Sequence, residues 1–127
     1  MFTSIIANLE KRFEETQTGA FVIVKDKQII GTVDLQLVDK DNNIGGFGYW
    51  IDEDYQGLGI TTISLKRLID YAFTLNLHKL TISCVKENIH SNKVAIRVGF
   101  EHEASLKSEF LLHGKYHDLE RYSLFKS

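Results

Sequence analysis

Proline is absent from this chain of 127 residues, and cysteine and tryptophan occur once each. A lone Cys84 cannot close an internal disulfide, so a reducing, cytoplasmic setting is expected. Neither sign of charge is in excess. Fifteen Lys and Arg against seventeen Asp and Glu leave a net charge of −2, no footprint for nucleic acid or an anionic membrane. No apolar run approaches the roughly 20 residues that span a bilayer. The opening Met1-Phe2-Thr3-Ser4 has no basic flank or small-residue cleavage site, so no secretory signal is expected. Repeats, linkers and low-complexity tracts are missing too. Residues 1–127 therefore read as one soluble domain, long enough for a core.

What is present alternates helical and strand-like patterns. Ile5, Ile6, Leu9 and Phe13 recur at helical spacing and predict an amphipathic helix over about residues 3–15. Two apolar runs, 20–24 and 29–38, flank a short polar link and predict a hairpin. A third strand is expected at 44–51. Its Gly45, Gly46 and Gly48 mark a bulge or a close approach of another backbone or ligand. Ile60, Ile63, Leu68, Ile69, Ala72 and Phe73 define the buried stripe of a helix running from 60 to about 75. A strand at 79–85, a short helix at 91–98 stopped by Gly99, and strands near 103–112 and 116–125 follow. This order predicts a mixed α/β (α+β) fold around one sheet.

The chemistry concentrates in Tyr55-Gln56-Gly57-Leu58-Gly59-Ile60-Thr61-Thr62, between the third strand and the long helix. Its glycines permit a tight turn and clear side chains from the path of a ligand. The helix behind them offers unpaired N–H groups and a positive dipole end, a seat for phosphate. No Gly-Lys-Ser/Thr follows, which excludes a P-loop. Thr62 stands where a dinucleotide fingerprint needs its third glycine, which excludes that fold. A second motif, Glu87-Asn88-Ile89-His90-Ser91, precedes Gly99-Phe100. With Gly48 to Glu53, and the tail Leu106 to Leu111 with Tyr116 and Asp118, these residues resemble the GNAT (GCN5-related N-acetyltransferase) superfamily. More narrowly, they are similar to its ribosomal-protein-serine acetyltransferase branch. The family signature is Gln or Arg, two residues, Gly, one residue, then Gly or Ala. Here it reads Gln56, Gly59 and Thr61, with Thr in the final place.

The resemblance implies a GNAT-like fold with a mostly antiparallel mixed sheet flanked by helices, shortened by the first strand and helix of the family. It implies transfer of an acetyl group from acetyl-CoA to a primary amine, in this branch the N-terminus of a ribosomal protein. The backbone of Gln56, Gly57, Leu58, Gly59, Ile60 and Thr61 would cradle the coenzyme pyrophosphate. A bulge in the strand ending at Trp50-Ile51 would splay it from strand 79–85. That opens a slot for the pantetheine arm, and a backbone N–H near Trp50 or Ile51 would polarise the thioester carbonyl. Asn88 would bond the pantetheine. Many members carry a Tyr as acid for the leaving thiolate where this chain has Ala95; Ser91 is its replacement in the branch. Glu53 is the leading candidate base, with Asp52 and Asp54 beside it. An amine of pKa near 8 asks little of a base.

The same residues have plain structural uses. Ser91 suits a helix N-cap, Asn88 can satisfy a loop backbone, and Glu53 can be a solvated carboxylate. Cys84, Tyr49 and Trp50 read as packing residues. His113 and His117 straddle Gly114 without further ligands, so no metal site is expected. A second class of function competes: an acyl-CoA-binding or regulatory protein without turnover, favoured by the shortened front and the missing Tyr. An open sheet edge is a liability, which predicts a homodimer.

Overall fold

The computed structural model describes residues 4–7, 18–57 and 59–127. Alternation of apolar and polar residues decides how its strands sit. In β3 (Gln28–Asp39), Val33 and Leu35 are fully buried, while the intervening Asp34 and Gln36 are exposed on the other face. β3 follows β2 (Thr18–Lys25) through Asp26-Lys27, both at positive φ (50° and 66°), the twist that suits a two-residue hairpin. β4 (Ile44–Ile51) pairs antiparallel with β3 and parallel with β5 (Lys79–Val85). β6 (Glu101–Leu112) and β7 (Lys115–Phe125) form a second hairpin, turned at His113-Gly114. With β1 (Ser4–Ala7) on β2, the sheet order is β1-β2-β3-β4-β5-β7-β6. α1 (Ile60–Phe73) connects β4 to β5, and α2 (Ile89–Arg97) connects β5 to β6.

Both helices cover one face of the sheet. Phe21 of β2 meets Tyr71 of α1 edge-on at 6.1 Å, and Tyr122 of β7 donates its hydroxyl to Asn92 Oδ1 of α2 at 2.6 Å. Leu65, Leu68, Val94 and Ala95 complete a single core with Leu35, Leu80 and Ile82 of the sheet.

Four expectations are corrected. Residues 4–7 of the expected first helix are a strand, with Ile5 opposite Ile23 and Ile6 opposite Val22. Adjacent β-branched residues suit a strand as well as a helix, and β2 offers them an edge. The rest of that expected helix lies outside the described residues. On α1 the buried stripe runs through Thr61, Leu65, Leu68 and Ala72, while Ile63 is 47% exposed. Ile63 is two residues from Leu65, about 200° round the helix. α2 begins at Ile89 because Asn88, not Ser91, is its N-cap. Finally, β4 carries no bulge: its register with β3 is unbroken from Ile51↔Gly31 to Gly45↔Leu37, and the slip lies in β3 at Val38. Two of its glycines are packing requirements. A Cβ on Gly45 would meet Leu77 Cδ1 at 2.8 Å, and one on Gly46 would meet Val38 Cγ2 at 2.8 Å.

Candidate functional site

β4 and β5 part company halfway along. Their pairing runs from Ile44↔Lys79 to Phe47↔Ile82 and stops, although β4 continues to Ile51 and β5 to Val85. The hydrogen-bond phase shows which groups this leaves open. Asp52 N donates to Ile30 O at 2.7 Å, so the pairs in step with it, Trp50 and Gly48 included, bond to β3. The N–H and C=O of Tyr49 and Ile51 therefore point toward the split. Of the two expected donors for a thioester carbonyl, Ile51 has the right phase and Trp50 does not; Tyr49 joins Ile51.

The head of the split is a small recess of about 60 Å³ lined by Tyr49, Trp50, Ile51, Gln56, Asn88, His90 and Ser91. Asn88 Oδ1 accepts from Ser91 N at 3.1 Å, capping α2 and holding Ser91 at the recess. Ser91's own hydroxyl makes no bond among the described residues. Tyr49 donates its hydroxyl to Ser91 O at 2.7 Å and ties α2 to β4. Burial first, then the nearby Cys84 thiol, hold that hydroxyl well above the usual tyrosine range, so it stays protonated. Asn92 completes the clamp, donating to Val85 O at 3.1 Å and Asn88 O at 2.7 Å. Cys84 is buried in β5 and its thiol is pushed up to about 11 by that burial, so it is a core thiol rather than a nucleophile.

A second recess of about 140 Å³ adjoins the first and shares His90. Gly57, Gly59, Ile60, Thr61 and Thr62 form one wall; His90, Lys93 and Arg97 of α2 form another. Gly57 and Gly59 hold φ of +81° and +78°, a conformation that favours glycine, and a Cβ on either would project into open space. Gly59 is the N-cap of α1 and supplies no side-chain cap, so the first N–H groups of the helix are left for a ligand. His90 Nε2 is buried and has no hydrogen-bond partner among the described residues. An anion-binding helix start, two cations and one orphaned imidazole nitrogen fit the phosphates and upper pantetheine of coenzyme A.

The structure thus gathers Gly57, Gly59, Ile60 and Thr61 at the glycine-lined recess, and Trp50, Ile51, Asn88 and Ser91 at the split. Gln56 lines the split instead of the glycine-lined recess, its amide 3.4 Å from Ile51 O. Leu58 lies outside the described residues. Glu53 sits exposed in a 3-10 turn (Glu53–Tyr55) and lines none of these recesses; Asp52 caps that turn, accepting from Asp54 N at 2.9 Å. Sequence reasoning missed His90, Lys93 and Arg97. Their spacing of three and four residues was the available signal, legible once α2 starts at Ile89.

Comparison with known proteins places the chain in a family. A family model, the acetyltransferase (GNAT) domain, matches residues 2–101. The ribosomal-protein-serine acetyltransferase of Escherichia coli (strain K12) is 36% identical over 104 residues, 81% of this chain and 58% of that protein. The spermidine N(1)-acetyltransferase of the same organism is 31% identical over 118 residues, 92% of this chain and 63% of that protein. Among solved structures, the ribosomal alpha-N-protein acetyltransferase RimL in complex with coenzyme A aligns with a TM-score of 0.82 at 29% identity. That alignment covers 91% of this chain and 66% of RimL. The microcin C7 self-immunity acetyltransferase MccE, in complex with acetyl-CoA and AMP, aligns at 0.82 and 28% identity over 91% of this chain and 65% of its own. This chain therefore spans less than two thirds of the length of these relatives. On the family match over most of its length, and on its sheet and split, the chain belongs to the GNAT acetyltransferase family.

Proposed function

We propose that this chain is an acetyl-CoA-dependent N-acetyltransferase acting on a primary amine, with a protein N-terminus such as that of a ribosomal protein as acceptor. The observation that carries the reading is that two recesses meet at His90: a basic, glycine-lined one at the start of α1, and a split holding Ser91 and the Ile51 N–H. The alternative acceptor class is a polyamine, since a spermidine acetyltransferase is among the relatives.

Bound acetyl-CoA would supply the thioester. The chain's own groups do the rest. The α1 N-terminus, Lys93 and Arg97 anchor the phosphates, and the Asn88 amide reaches the pantetheine. Holding two reactants in line removes up to ~7–11 kcal/mol of barrier. The Ile51 N–H stabilises charge developing on the carbonyl oxygen, a contribution of about 3 kcal/mol in comparable sites. Ser91 Oγ donates a proton to the departing sulfur. Glu53 acts as base through water on the acceptor. The exchange forms an N–C bond, breaks the C–S bond, and releases a thiol and one proton.

A second reading, coenzyme binding without turnover, is favoured by Ala95, whose fully buried methyl leaves no phenol at the thiolate position. A thiol-release assay with N-terminal peptides and amines separates the two. Release above the hydrolysis background supports the enzyme; saturable coenzyme binding with no release from any amine supports the binding protein. We further propose a cytoplasmic homodimer that covers the exposed edge of the sheet. A monomer in light scattering at micromolar concentration refutes the dimer.

A further inference from the structure

A third recess, of about 220 Å³, opens on the sheet face that neither helix covers. Asp34 and Gln36 of β3, Gly48 of β4, Thr81 and Ser83 of β5, and Arg121 of β7 line it. Gly48 is the first β4 residue beyond the last β4–β5 pair, and Ser83 is its counterpart on β5. The recess therefore reaches the split at its Gly48 and Ser83 end, on the side opposite Ser91, while Gly46 and Thr81 beneath the rest of it are still paired. A Cβ on Gly48 would meet nothing within 4 Å, so the space above the sheet on this face is open at that point.

Its charges are unusual for a polyamine site. Asp34 forms no ion pair among the described residues, and Arg121 donates through Nε to Ser83 Oγ at 3.3 Å without closing on an acid. The nearby carboxylate of Glu103 is engaged by Lys79 Nζ at 2.8 Å. One wall thus offers a carboxylate to an ammonium, and another offers a guanidinium to an anion. We propose that this recess takes the acceptor, and that it selects an amine carrying a carboxylate within a short reach. The ammonium lies toward Asp34 and the carboxylate on Arg121, whose planar fork matches carboxylate geometry. A polyamine has nothing for Arg121 and brings it a like charge. The volume corresponds to about seven water molecules at ~30 Å³ each, so the head of the acceptor enters and the remainder stays outside. Two sources carry this chemistry: a free α-amino acid, and a peptide N-terminus with an acidic second residue. The inference rests on the acetyltransferase reading above.

The test is calorimetric binding to the coenzyme A-loaded protein. L-serine is compared with L-serinamide, Ser-Asp-amide with Ser-Asn-amide, and both pairs with spermidine. The expected result is at least a tenfold preference for the acid in one pair or the other, reduced to within twofold by Arg121→Gln. Preference within the first pair identifies a free amino acid, and preference within the second an acidic N-terminus. Asp34→Asn, at an exposed position, is expected to weaken both members of the preferred pair and to spare the ratio between them. Equal binding of acid and amide, a preference that survives Arg121→Gln, or spermidine as the tightest ligand overturns the inference. Thiol release is measured separately. If the acid preference holds but no acceptor releases thiol, the claim of turnover fails and the acceptor assignment stands.

Discussion

Replacing Gly59 separates strain from ligand contact, because Gly114 provides a matched control. Gly59 starts α1 at φ +78°, and Gly114 turns the β6–β7 hairpin at φ +76°. A Cβ at either position meets no protein atom within 4 Å. Alanine or valine therefore costs each site mainly the penalty of the left-handed conformation, about 1–2 kcal/mol. For a domain of this size that is a Tm loss of roughly 3–5 °C per kcal/mol. The open space differs in what it leads to. At Gly59 it is the recess of about 140 Å³ proposed to seat the phosphates, which a valine side chain would partly fill. At Gly114 it is solvent beyond the hairpin. Melting and coenzyme A titration on both variants should show similar losses of Tm. Gly59→Val should lose about a hundredfold or more in affinity, roughly 2.7 kcal/mol, and Gly114→Val none. A folded Gly59→Val protein that binds coenzyme A like the parent would refute the phosphate seat.

Ser91→Ala should lower kcat by about a hundredfold, the low end for loss of a general acid, with coenzyme affinity nearly unchanged. Asn88 rather than Ser91 caps α2, so equal losses of kcat and affinity would point to a structural part for Ser91 instead. Leu65→Ala should cost about 2–5 kcal/mol in urea unfolding and Ile63→Ala under ~1 kcal/mol; the reverse ranking would contradict the observed face of α1. Stability should also fall as pH rises through the Cys84 window. Below about pH 9 the thiol is protonated folded and unfolded, and between about 9 and 11 only the unfolded chain ionises. Cys84→Ala should flatten the stability profile in that range, and an unchanged slope would count against a buried thiol.

Much of the fold was legible because the local signals were unambiguous. β4 was bounded at Ile44 and Ile51 by its apolar run and flanking turns, and the β2–β3 hairpin by a polar link of the right length. Ile5-Ile6 misled because a short apolar run supports either period, and strand pairing with β2 decided it. The face of α1 was misjudged because Ile63 and Leu65 are equally apolar, and the sheet, absent from a helical wheel, chose Leu65. At the site, the glycine turn was legible from spacing, whereas Ser91 came forward only through the family resemblance, its own sequence context reading as a helix cap. Lys93 and Arg97 were not legible, since a helix started at Ser91 leaves them without an evident partner across the recess. The split itself is a property of strand pairing: Phe47↔Ile82 ends it, and nothing in either strand alone announces that.

The central claim is that the two adjoining recesses form one coenzyme seat. The most direct measurement is a calorimetric titration of acetyl-CoA into the purified chain, repeated with His90→Gln, whose parent nitrogen is buried without a partner between them. Saturable one-to-one binding, weakened about tenfold in the variant, is expected. No saturable heat from the folded parent, or binding indifferent to His90 and Gly59 alike, would contradict it.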